Sequence, residues 1–176
     1  MKSSLLTILM VTVPVVAQRT VKDALVKHWK TSGEFTIAVA RSMPAESYNF
    51  RPHLEEMTFG QLMRHIAAVN LQGCAHASGM TLPTLPPKIA ELAKDKGDVD
   101  IEKATAIEFL NDSFAFCNKA VASMSPERIN TVVGPPASHM TGFEWLWNDF
   151  THTAHHRGQA QIYLRVKGVK PPDYAF

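Results

Sequence analysis

Apolar residues recur at spacings of three and four along four long stretches of the chain, the periodicity of helices that bury one face. Between Thr20 and about Met43 the stripe is Val21, Leu25, Val26, Trp29, Ile37 and Ala40. Thr20 stands where an N-cap is needed, Asp23 follows three positions on, and Pro44 marks the stop. The second helix opens on Thr58-Phe59-Gly60-Gln61, which reads as a capping box, and runs to about Ser78 with Leu62, Ile66, Val69 and Leu71 on its apolar face and Gly79 at its end. Residues Ile101 to Met124 repeat the pattern through Ile107, Leu110, Phe114, Cys117 and Val121, and Ser125-Pro126 ends it. A second capping box, Thr141-Gly142-Phe143-Glu144, starts a helix that reaches Lys167, with Gly168 beyond.

The stretches between are connections. Gly79 to Asp100 carries Pro83, Pro86 and Pro87, and leaves room for two turns of helix over Lys88 to Lys96 before Gly97. Ile129 to Met140, with Gly134-Pro135-Pro136, reads as mostly loop. Thr131 to Val133 is the one place where apolar and polar residues alternate, and it is too short to found a sheet. The expected fold is therefore all-α: one domain, residues 18–176, forming a four-helix bundle. Two of the three connections are long enough to cross the bundle, so simple up-and-down order does not follow.

Composition narrows the partners. In 176 residues, 18 Lys and Arg face 16 Asp and Glu, with no basic run, which argues against nucleic acid. The first seventeen residues, Met1 to Ala17, have the three-part plan of a secretory signal: Lys2, an apolar run from Leu5 to Val16, and small residues at Val15-Val16-Ala17. That run is too short for a transmembrane helix and contains Pro14, so no stable membrane span is expected. The chain is read as exported, periplasmic or secreted, after cleavage near Ala17. Cys74 and Cys117 fall on different helices, and the sequence leaves open whether they pair or are two buried small hydrophobes.

Eight histidines are the unusual feature of the composition. His152 and His156 are four residues apart on the last helix, on one face and one turn along the axis, so two imidazoles reach one ion. The residue after His152 is Thr153 where the HExxH motif has its glutamate, so the general base of that motif is missing. A bare pair at this spacing is equally compatible with surface histidines. His65, in the middle of the second helix, is the best third ligand, while His155, His28, His53, His76 and His139 are weaker. His53 and His139 are placed to flank a site from above.

These residues resemble the DinB-like superfamily of four-helix proteins, regarded as metalloenzymes and named with its YfiT-like members. The likeness rests on Tyr48-Asn49-Phe50-Arg51-Pro52 and on Phe59-Gly60-Gln61-Leu62-Met63-Arg64-His65. It continues in His152-Thr153-Ala154-His155-His156-Arg157-Gly158-Gln159, then Tyr163-Leu164-Arg165 and Gly168-Val169-Lys170-Pro171-Pro172. It implies a bundle with long crossover connections, in which His65, His152 and His156 bind a divalent metal, zinc, nickel or iron. The best understood members are cytosolic, so the signal segment departs from them.

Three neutral imidazoles leave open coordination positions, at which a bound water ionises near neutral pH. Asp149, three residues before His152, is placed to receive a ligand's second ring N–H, to accept a proton from metal-bound water, or to pair with a cation at the helix surface. Arg157 is placed either to bind an anionic substrate or to make a structural ion pair; Tyr163, Trp145 and Trp147 are read as packing. The expected activity is that of an exported metal-dependent hydrolase acting on a small-molecule substrate, and a homodimer is compatible with this reading. The alternatives are a low-molecular-weight thiol S-transferase, as some members of the resembling family are, and a non-catalytic metal-binding bundle. A di-iron carboxylate site is excluded because the second helix has no acidic residue near His65, and covalently attached haem because no CxxCH occurs.

Overall fold

A computed structural model describes residues 20–94 and 99–175. The expectations for the secretory segment Met1–Ala17 and for a short helix continuing to Lys96 lie wholly or partly outside the described residues. Six α-helices are present among the described residues: α1 (Val21–Ser42), α2 (Phe59–Ser78), α3 (Pro87–Lys94), α4 (Lys103–Ser123), α5 (Pro126–Asn130) and α6 (Gly142–Val166). None of them is long and apolar enough to cross a membrane.

Three of the four long helices begin as their sequences dictate. Thr20, Thr58 and Thr141 each accept a hydrogen bond from the backbone N–H three residues on, and Asp23, Gln61 and Glu144 each accept one from the cap residue's own N–H. These reciprocal caps satisfy backbone donors that a helix start otherwise leaves without partners. At the other end, Gly79 takes φ of +77°, a left-handed conformation that costs glycine nothing and closes α2 with an N–H to the Ala75 carbonyl.

The helices α1, α4, α2 and α6 pack in that cyclic order, so α1 faces α2 across the bundle and α4 faces α6. The connections 43–58 and 124–141 therefore cross the bundle, while the longest one, carrying α3, joins the spatial neighbours α2 and α4. The core is one cluster in which Trp29, Phe59, Met63, Ile66, Phe109, Leu110 and Leu146 are fully buried. Two members of the α1 stripe depart from expectation: Val21 is 60% exposed and Val26 37% exposed, and the buried face runs instead through Trp29, Phe35, Val39 and Ala40. Small residues make up the difference: Ser32 and Thr36 are buried beside these apolar side chains, and Gly33 leaves room for Phe114 of α4 to pack on the helix.

Between α4 and α6 the chain is more ordered than a loop. Ser125 accepts from the Arg128 N–H and Pro126 occupies the first turn of α5, so the dipeptide that stops one helix also starts the next. Beyond it, strand β1 (Val132–Val133) pairs antiparallel with β2 (Met140–Thr141). Trp145 donates to the Val133 carbonyl at 3.2 Å and holds this ladder on α6.

Cys74 and Cys117 form a disulfide, with their Cα atoms 5.4 Å apart, that ties α2 to α4. Both are fully buried, so each fills core volume and also cross-links it.

Candidate metal centre

His65 projects from the middle of α2, and His152 and His156 project from successive turns of α6, the helix packed beside it. One ligand nitrogen from each of the three lies within 4.8 Å of the other two. The His65 and His152 Nε2 atoms are 3.0 Å apart, and the three ring centroids stand 4.4 to 4.9 Å from one another. All three side chains are half-buried.

The donor set and its protonation fit a divalent ion. Two nitrogens on one tetrahedral zinc, each about 2.0–2.1 Å from it, stand about 3.3 Å apart, so the His65–His152 pair needs to open by only a few tenths of an ångström. His156 Nδ1 lies 2.7 Å from Gln159 Oε1, an acceptor that holds the ring proton on Nδ1 and leaves the Nε2 lone pair free to bind. Burial, followed by the charges of neighbouring imidazoles, lowers the proton affinity of His65 and brings that of His152 down to about 4. For His156 burial again lowers the pKa, and the contact to Gln159 acts in the opposite direction. Neutral imidazole is the form that binds metal, and crowding three of them together favours it.

Behind the histidines, α2 and α6 share a buried polar square. Asn70 accepts from Thr153 Oγ1 at 2.9 Å, while Asp149 is packed on Gly73, where an added Cβ would overlap its carboxylate. Asp149 is 1% exposed, and burial pushes its pKa up to about 8. Three atoms around this square are buried without a hydrogen-bond partner: Asn70 Nδ2, Asp149 Oδ2 and His152 Nδ1. Two are donors or potential donors and one is an acceptor, so pairing them would relieve a desolvation cost of about 1–3 kcal/mol for each group.

A raised carboxylate pKa has a definite sign. The folded state holds the Asp149 proton where the unfolded chain has lost it, so this group's contribution is fully present below about pH 4 and is lost as pH rises towards 8. In chelator, Asp149→Asn should therefore gain stability relative to wild type between pH 5 and 9, measured by urea unfolding. A difference that does not vary with pH would show that Asp149 is ionised in the folded protein across this range.

Arg157 is 6% exposed, and its Nη1 donates to the Ser32 carbonyl at 3.2 Å, Ser32 Oγ at 2.8 Å and Thr36 Oγ1 at 3.2 Å. Its guanidinium lies over the Phe35 ring, 4.7 Å from the centroid. The side chain thus anchors α6 to α1 through hydroxyls and a ring, with no carboxylate partner among the described residues. It is not among the residues lining the cavity beside His65. Tyr163 packs with Phe50 and Phe59 and donates to the Met57 carbonyl at 3.0 Å, the packing role its position suggests. Of the weaker candidates, His155 is exposed with its ring 4.9 Å from that of His156, and His53 pairs at 3.8 Å with Glu55.

The cavity of about 510 Å³ beside His65 lies between α2, α3 and the loop that follows Phe50. Gln61, Arg64, His65, Ala68 and Gln72 give it a wall of α2 side chains. Arg64 and this cavity were not singled out as functional by sequence reasoning; the only signal was an arginine beside a candidate ligand on a half-apolar helix face.

Solved structures share the fold. A DinB-like protein from Bacillus cereus aligns with a TM-score of 0.69 at 18% identity, covering 87% of this chain and 97% of that one. A DinB-like protein from Bacillus subtilis aligns at 0.60 and 18% identity, covering 87% and 96%. A conserved protein from Enterococcus faecalis aligns at 0.63 and 16% identity, covering 85% and 98%. No curated relative matches. The family model of the DinB superfamily matches residues 28–160, from within α1 through both histidines of α6, and the chain belongs to that superfamily.

Proposed function

We propose that the protein is an exported metal-dependent enzyme of hydrolytic type, acting on a small molecule at a site built from His65, His152 and His156. The observation that carries this reading is the convergence of three imidazoles from two helices, one of which, His65, lines a cavity large enough for a substrate. A divalent ion held there, zinc, nickel or iron, supplies Lewis acidity and a water that ionises near neutral pH. His65 and His152 would hold the ion from the neighbouring helices α2 and α6, and His156 would do so with its tautomer fixed by Gln159.

Asp149 is a positioning residue in this account. Its Oδ2 and the Nδ1 of His152 are both buried and without partners, one turn apart on α6. A hydrogen bond between them would turn the His152 Nε2 towards the ion, as carboxylates behind metal-binding histidines do. Export is supported by the Cys74–Cys117 disulfide, a bond that persists in oxidising compartments. The same compartment disfavours chemistry that depends on reduced low-molecular-weight thiols.

Loading the protein with cobalt(II) tests the reading. An open three-histidine site should change its visible spectrum when azide or acetohydroxamate is added. A cobalt spectrum indifferent to both would mean a closed site, and the protein would then be a metal-binding bundle without catalysis.

A further inference from the structure

The bundle has three arginines that reach inwards, and they differ in what they meet. Arg157 is met by two hydroxyls, a carbonyl and an aromatic face. Arg128 donates from Nε to the Ala77 carbonyl at 2.7 Å and from Nη2 to the His76 carbonyl at 2.8 Å, closing the C-terminal end of α2. Arg64 is met by nothing comparable. It is 8% exposed, its Nη1 is buried without a hydrogen-bond partner, and no carboxylate pairs with it among the described residues.

A buried guanidinium nitrogen without a partner is costly, and it calls for a group that the side chains around it do not supply. Arg64 lines the same cavity as His65, its neighbour on α2. The other cationic side chain in the lining is Arg51; the acidic ones, Glu55 and Glu56, stand on the exposed rim, and Glu55 already faces His53. Two arginines and two glutamates thus line the cavity, and of these four only Arg64 is buried; Ala68, Leu92 and Ala93 make another part of the lining apolar.

The geometry points to a substrate that carries a carboxylate: Arg64 anchors the anion, and the reacting group of the same molecule is presented to the histidines. This inference rests on the reading of His65, His152 and His156 as a metal site and adds the substrate class to it. Guanidinium and carboxylate match in shape as well as charge, so the anchor would fix orientation along the cavity and not only affinity.

Hydroxamates that bind cobalt supply the test. Acetohydroxamate is compared with the monohydroxamates of malonic, succinic and glutaric acid, which add a carboxylate at increasing reach, by absorption titration of the cobalt-loaded protein. The best of the three should bind about tenfold or more tightly than acetohydroxamate, the ratio expected for a charge-assisted hydrogen bond. Arg64→Met should bring the ratio to near one, weakening the carboxylate-bearing hydroxamate far more than acetohydroxamate, and Arg64→Lys should keep part of the preference. Arg64→Met removes an unpaired inward charge and retains bulk, so it should fold. Wild type with no preference for the carboxylate, or a preference that survives in Arg64→Met, would overturn the anchor and leave the metal site standing.

A second readout is independent of the metal: thermal stabilisation of the metal-free protein by succinate, expected in wild type and lost in Arg64→Met. If cobalt protein binds no hydroxamate but succinate still stabilises through Arg64, the open metal site is wrong and the anchor stands. If neither is seen, both fall.

Discussion

Substituting His156→Ala is expected to abolish metal-dependent thermal stabilisation while leaving the bundle folded in chelator. An ion that binds the folded protein and not the unfolded chain stabilises it by RT ln(1 + [ion]/Kd), about 4 kcal/mol at a thousandfold excess over Kd. For a domain of this size each kcal/mol moves Tm by about 2–4 °C, so wild type should gain on the order of 10 °C from its ion. The variant should gain nearly nothing, because His156 supplies one of the three nitrogens that converge among the described residues. Its own packing role is small: it is half-buried, its one hydrogen bond is to Gln159 a turn away, and its ring contacts are to other histidines. Thermal scans of both proteins, with and without chelator, decide the matter. Equal metal-dependent shifts would remove His156 from the ligand set, and a variant that fails to fold in chelator would make it a structural residue.

Breaking the Cys74–Cys117 bond should cost about as much by a different route. A link between residues 43 positions apart removes loop-closure entropy from the unfolded chain worth roughly 4 kcal/mol. A Cys74→Ala, Cys117→Ala variant should therefore melt on the order of 10 °C below the oxidised protein. Treating wild type with reductant should reproduce most of that loss. The bond joins α2 to α4 and leaves the α2–α6 pair untouched, so the number of metal ions bound should be unchanged. A variant that melts within a degree or two of wild type would show that the two sulfurs act only as core filler, the other role the sequence allowed.

These two predictions draw unequally on what is visible in the sequence. The capping boxes at Thr20, Thr58 and Thr141 are local, their partners lie three residues away, and each is present as its sequence spells it. The His152–His156 pair is equally local, since helical spacing alone puts both rings on one face. Their meeting with His65 is not local: it depends on α2 and α6 being neighbours, which periodicity does not determine. The disulfide was open for the same reason, because pairing is decided by a Cα separation that only the packed bundle sets.

Three features escaped the sequence because a residue type was read for one role. Ser125-Pro126 was legible as a helix stop, yet the same two residues cap and begin α5. The apolar stripe of α1 leaves out Ser32 and Thr36, which are buried and whose hydroxyls accept from Arg157 of α6. Asp149 looked like a surface carboxylate or a partner of the histidines. Its burial follows from Gly73, whose missing side chain makes the room it occupies. The start of α5 is local to its own sequence, whereas for Ser32, Thr36 and Asp149 the information sits on a different helix from the residue it explains.

The central claim is that His65, His152 and His156 form one metal site, and the most direct test is metal content. Tag-free protein and a His65→Ala, His152→Ala, His156→Ala variant, prepared identically, would be compared by plasma mass spectrometry before and after reconstitution. The account predicts near one equivalent of a divalent transition metal in wild type and little in the variant. Equal metal in both proteins, or none in either after reconstitution, would contradict it and reduce the three histidines to a packing feature of the bundle.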